Sequence, residues 1–121
     1  MQIINQNNYQ QFLKRYDFSS AEIEDIQITS ATSMQIVINA QSVENEYAWV
    51  RIVFYFDGIN DAKLVDDAQL AFLDFENGIS IVFENSLIGF CIDRYDTLVG
   101  MKNASFYITA KNLKVESFFI N

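Results

Sequence analysis

The chain has 121 residues, and half of them are hydrophobic, including eleven Phe, six Tyr and one Trp. That length fits one domain of about 100–150 residues, expected to span 1–121, and so much aromatic area excludes a disordered chain. Cys91 is the only cysteine and there is no histidine. An intramolecular disulfide is thereby excluded, as are Ser-His-Asp and Cys-His catalysis and zinc sites built on thiolate or imidazole.

The net charge of −8 is unevenly spread. From Asp17 to Asp96 there are fifteen acids and three bases, whereas the rest carries five bases and Glu116. A middle so acidic repels nucleic acid and anionic membranes and attracts a basic partner. The opening MQIINQNNYQ lacks the basic start and apolar run of a signal peptide, and no apolar stretch approaches the ~20 residues of a membrane span. A soluble, cytoplasmic protein is expected.

Tyr9, Phe12, Leu13 and Tyr16 fall at i, i+3, i+4 and i+7, which predicts one short N-terminal helix capped by Asn7 or Asn8. Phe18-Ser19-Ser20-Ala21-Glu22 resembles a capping box, and one turn is expected there before strands begin. The period then changes to two. Ile26 and Ile28, then Met34 to Ala40, alternate; Glu44-Asn45-Glu46 reads as a turn; Tyr47 to Asp57 is the longest predicted strand. A strand is expected over about Gln69–Phe75, turning back through Asn77-Gly78, the dipeptide best suited to a type I′ hairpin. Ile79 to Phe83 and Ile88 to Ile92 follow around a turn at Glu84-Asn85-Ser86, then Phe106 to Ala110 and Leu113 to Phe119 across Lys111-Asn112. The prediction is a mainly β (α+β) fold, a curved antiparallel sheet of half-barrel or sandwich-like form closed by the helix.

Carboxylates are the remaining route to chemistry. Asp57-Gly58-Ile59-Asn60-Asp61 places two acids and an amide near one turn, but the alternating ligands and closing glutamate of a calcium loop are missing. Asp66-Asp67 and the pair Asp74 and Glu76 have the composition of a glycosidase acid pair, yet sixteen acids in 121 residues produce close pairs by chance. Cys91, between Phe90 and Ile92, has no neighbouring base to activate it and is expected to be a packed or half-exposed thiol. The expectation is therefore no catalytic residues, no metal and no cofactor.

On the predicted long strand, Tyr47, Trp49, Arg51, Val53 and Tyr55 point away from Ala48, Val50, Ile52, Phe54 and Phe56. Tyr, Trp and Arg are the side chains that dominate binding hot spots. Either the N-terminal helix covers this second face, the simpler expectation, or the stripe is exposed for recognition. Phe118 and Ile120 pose the same question, with edge pairing to another chain as a further route.

Phe18-Ser19-Ser20-Ala21-Glu22-Ile23, the strand Met34 to Ala40 and Val50 to Ile59 together resemble small bacterial β-rich proteins, some of them immunity proteins of polymorphic toxin and contact-dependent inhibition systems. The resemblance covers roughly the first half of the chain and rests on hydrophobic spacing. Many members carry His-Asp where this chain has Ser19-Ser20. It implies a non-enzymatic, acidic protein that neutralises a basic toxin domain by binding it. The expected contact residues are Tyr47, Trp49, Arg51 and Tyr55 with the acids Asp57, Asp61, Asp66, Asp67, Asp74, Glu76 and Glu84. The alternatives are a curved-sheet protein that binds a small apolar ligand or forms a homodimer, and an acid-based hydrolase.

Overall fold

The computed structural model describes residues 1–120, apart from the side chain of Asp67. Its elements in chain order are β1 (Gln2–Ile3), α1 (Tyr9–Lys14), β2 (Tyr16–Ser30), β3 (Ser33–Ser42), β4 (Ala48–Asp57), β5 (Asp61–Lys63), β6 (Ser80–Glu84), β7 (Leu87–Cys91), α2 (Leu98–Met101), β8 (Tyr107–Ala110) and β9 (Asn112–Phe119). The fold is mainly β, as expected. One antiparallel sheet runs in the order β1-β9-β4-β3-β2 and the other in the order β5-β8-β7-β6.

Binary alternation explains the layering. In β3 the even-numbered residues Met34 to Ser42 are buried, and in β4 Val50, Ile52, Phe54 and Phe56 are buried. These inner faces meet the second sheet, where the Phe90 ring lies 5.3 Å from Phe54 and 5.4 Å from Phe56. Phe106 and Phe12 extend the same cluster. The space between the sheets is thus filled by aromatic rings. Each buried ring removes on the order of 150–250 Å² from water, enough to order a domain without metal or disulfide.

The chain crosses between the sheets twice at one corner, from β4 to β5 and from β8 to β9. Lys111 N–H donates to the carbonyls of Asp57 and Gly58, tying the two crossings together. Gly58 has φ +66°, and a Cβ there would lie 2.9 Å from Lys111 Cβ. Glycine is required at this corner on both counts.

Several local expectations are corrected. Phe18 to Glu22 is strand, because β2 begins at Tyr16 and absorbs its irregularities as register shifts. Asn8 stands at the start of α1 without a side-chain cap; the Asn5 side chain accepts from Asn7 and Asn8 N–H in its place. The predicted strand over 69–75 is a 3-10 helix, Asp67–Phe72, whose three-residue period turns Leu70 and Leu73 inward and leaves Phe72 exposed. Asn77-Gly78 closes a turn, with Gly78 N–H bonded to Phe75 C=O, but no strand precedes it to make a hairpin. The turn expected at Glu84-Asn85-Ser86 does form a tight hairpin, between β6 and β7, with Asn85 and Ser86 at positive φ. Tyr47 lies outside the strand: β4 begins at Ala48, and Glu46 and Tyr47 occupy consecutive left-handed conformations.

Candidate functional site

The odd-numbered residues of β4 point out of the sheet on the side away from β7. The helix does not cover them. Phe12 of α1 is buried on the opposite, inner face, 6.0 Å from the Phe54 ring, and Tyr9 packs 5.1 Å from Phe83 of the second sheet. The helix goes inward because its apolar face carries a fully buried Phe that gains more between two sheets than on one open surface. No other element among the described residues lies over the outer face.

Register fixes the rows across that face. Trp49 lies between Gln41 of β3 and Ile120, whose N–H donates to Trp49 C=O at 3.1 Å. The next row runs Glu22, Asn39, Arg51, Phe118, and the next Asp25, Val37, Val53, Glu116. Trp49, Arg51, Phe118 and Ile120 therefore form one square of neighbours on two paired strands. Trp49, Phe118 and Ile120 are 40, 49 and 41% exposed. Tyr47 stands beside the square on its left-handed turn, its N–H held by Ser42 C=O at 2.8 Å.

Three polar pairs tie the face together. Arg51 Nε and Nη2 donate to the two oxygens of Glu24 at 2.8 and 2.9 Å. The guanidinium passes over β3 to do so, above Asn39, whose buried Oδ1 has no hydrogen-bond partner. Tyr55 O–H donates to Glu116 at 3.1 Å; partial burial, reinforced by that carboxylate, raises the phenol above its ordinary pKa. Ser33 Oγ donates to Asp57 at 2.8 Å. Six carboxylates (Asp17, Glu22, Glu24, Asp25, Asp57 and Glu116) share the face with two bases, Arg51 and Lys114. Ser19 holds Asp17 below the usual carboxylate range through its hydroxyl and its N–H.

The expected contact residues divide between two layers. Trp49, Arg51, Tyr55 and Asp57 stand together on the outer face, with Tyr47 at its rim. Asp61, Asp66, Asp74, Glu76 and Glu84 belong to the second sheet and the segment leading into it. Asp61 accepts from Tyr107 O–H at 2.9 Å, which raises that phenol. Asp74 accepts from Glu76 N–H and serves a turn. The side chain of Asp67 lies outside the described residues. Sequence reasoning missed the acids that flank the stripe, Glu22, Glu24 and Asp25, because only the strand order brings β2 beside β3.

Cys91 is buried against Met101, Ala104 and Tyr107, and burial pushes its thiol up to about 11. Among the described residues no group of three or more His, Cys, Asp or Glu is placed to hold a metal, and no helix is long and apolar enough to cross a membrane. Clefts occur on both layers: one of about 580 Å³ lies between α1 and β6, lined by Tyr9, Leu13, Phe83 and Tyr95, and one of about 460 Å³ touches the outer face at Gln35, Tyr55, Asp57 and Lys114. No family model matches the chain, and no curated protein or solved structure matches it significantly.

Proposed function

We propose that this protein is an acidic protein-binding module, most concretely an immunity protein that neutralises a toxin domain by direct contact. The observation that carries the reading is the uncovered outer face, where Trp49, Arg51, Phe118 and Ile120 stand side by side. Such a cluster offers rigid apolar area with a polar handle, the composition of a binding hot spot. Six carboxylates around it favour a basic partner, speeding encounter and fixing orientation. Binding of this kind involves no catalytic step of its own. It occludes the toxin, and its strength comes from the desolvated centre more than from the charged rim.

The test mixes the purified protein with the product of the neighbouring gene and measures affinity at low and high salt. The reading expects a complex that weakens as salt screens the acidic face, and protection of cells expressing that product. A neighbouring product that neither binds nor needs neutralising removes the immunity reading.

A further inference from the structure

The five-stranded sheet has two edges, and they are built differently. β2 is long, but three register shifts interrupt its ladder, and Asp17, Glu22, Glu24 and Asp25 line it. Bulges and charges are the devices that stop an edge from pairing with another chain. β9 borders the opposite side, where β1 and the following Ile4 cover it from Leu113 to Val115. Past Val115 no strand among the described residues lies against it. That stretch pairs with β4 without a register shift, carries no proline, and exposes Phe118, Phe119 and Ile120.

The direction of its free backbone groups follows from two bonds already formed. Ile120 N–H donates inward to Trp49, so Phe118 and Glu116 also turn their backbone groups toward β4. Leu113 C=O faces outward and accepts from Ile4 N–H. Ser117 and Phe119 share that outward direction, leaving two N–H and two C=O groups on the open edge.

We propose that Glu116–Ile120 pairs antiparallel with the same segment of a second copy of this chain, about a two-fold axis at Phe118. In that register Ser117 of each copy faces Phe119 of the other, and all four outward groups on each edge gain partners. A register shifted toward Lys114 would need backbone groups that β1 already occupies. Phe118 meets its counterpart as a non-hydrogen-bonded pair, Cα atoms about 4.5 Å apart, with the rings in contact on the outer face. Glu116 lies opposite Ile120, so no like charges face each other across the axis. The acids of β2 sit at the far edge of each sheet, which lets two chains of net charge −8 approach here. Self-complementarity about Phe118 points to a second copy in preference to a foreign strand. The result is a continuous ten-stranded sheet with an uninterrupted outer face.

The contact is small, below about 1,200 Å² in total, so the dimer is weak and concentration-dependent. Sedimentation of the full chain from about 1 µM to about 500 µM tests it, with doubling of the mass expected across that range. Ser117→Pro removes an outward N–H while sparing the ladder to β4, and the variant is expected to stay monomeric. Phe118→Cys provides a second readout that keeps the wild-type backbone. Two cysteines in this pair suit a disulfide, and mild oxidation is expected to give a covalent dimer, whereas Asn103→Cys, exposed elsewhere, does not. A single monomer mass at every concentration overturns the proposal, even if the monomer captures a strand from another protein. So does a dimer that Ser117→Pro leaves intact, or a Phe118→Cys cross-link no faster than the Asn103→Cys control. Because the readout is the mass of the protein alone, failure here is separate from failure to bind a toxin.

Discussion

Arg51 of β4 crosses the whole width of β3 to hold both carboxylate oxygens of Glu24 on β2. Two planar groups are locked in one geometry at the centre of an otherwise open surface, beside Trp49 and Phe118. Both side chains remain partly exposed, at 46 and 39%. Water and salt therefore screen the pair, which is worth no more than about 1 kcal/mol to stability. Under the proposed function, its value is orientation of the guanidinium for a partner. Arg51→Ala is expected to lower the unfolding free energy by less than about 1 kcal/mol, read by urea denaturation, and to weaken the partner complex at least tenfold.

Two residues on opposite faces of one strand should separate folding from binding. Phe54 is fully buried among Phe12, Phe90 and Ile52, so Phe54→Ala is expected to cost about 3–5 kcal/mol. Trp49 on the opposite face is 40% exposed, and Trp49→Ala is expected to stay within about 1 kcal/mol of the native protein. Equilibrium unfolding of the two variants side by side checks the assignment of the faces.

Tyr47 is held at φ +61° next to Glu46 at φ +55°, two consecutive non-glycine residues in the left-handed region. Glycine adopts that conformation without the Cβ penalty. Tyr47→Gly is expected to leave stability unchanged or raise it by up to about 1 kcal/mol, while lowering partner affinity. Thermal melts and binding measured on the same preparation would show the two effects in opposite directions.

The alternation of β4 was legible in the sequence from Val50 to Phe56 with one exception, Val53, which lies on the outer face yet is apolar and buried. Whether the helix covers the outer face was not, since Phe12 fits against either side and only the second sheet decides. Glu24 stayed invisible as the Arg51 partner, being 27 residues away on a strand joined to β4 only through β3. The segment 67–75 misled because Ala71, Leu73 and Phe75 alternate as on a strand, while Leu70 and Leu73 share the three-residue spacing of the 3-10 turn that forms. Asn77-Gly78 has the better hairpin dipeptide but no strand before it to pair, whereas the turn expected at Glu84-Asn85-Ser86 does join two paired strands.

Burial holds the Cys91 thiol at about 11, above the ordinary value of 9.0. For a group whose folded pKa is raised, the stabilising contribution is complete below the unfolded pKa and is lost as pH rises through the folded one. Stability is therefore expected to fall between about pH 9 and pH 11, and Cys91→Ala should flatten that part of the profile. In the native protein the thiol is expected to react with disulfide reagents only at the rate of opening, which a labelling time course at pH 8 reads directly.

Tyr55 and Tyr107 each donate to a carboxylate, and both phenols are raised. Their contribution is likewise present below about pH 10 and lost above it. Ultraviolet titration should show late-ionising tyrosines that disappear in the Tyr55→Phe, Tyr107→Phe double variant.

Trp49 is the sole tryptophan and stands at the centre of the proposed contact surface, so its emission reports directly on what covers that face. Titrating the protein with the tryptophan-free form of the neighbouring gene's product, at a concentration where the protein alone is monomeric, is the most direct measurement. A saturable blue shift, lost in Arg51→Ala at the same concentration, is the predicted result. Tight binding with the Trp49 emission unchanged would contradict the account, because the partner would then sit elsewhere on the molecule.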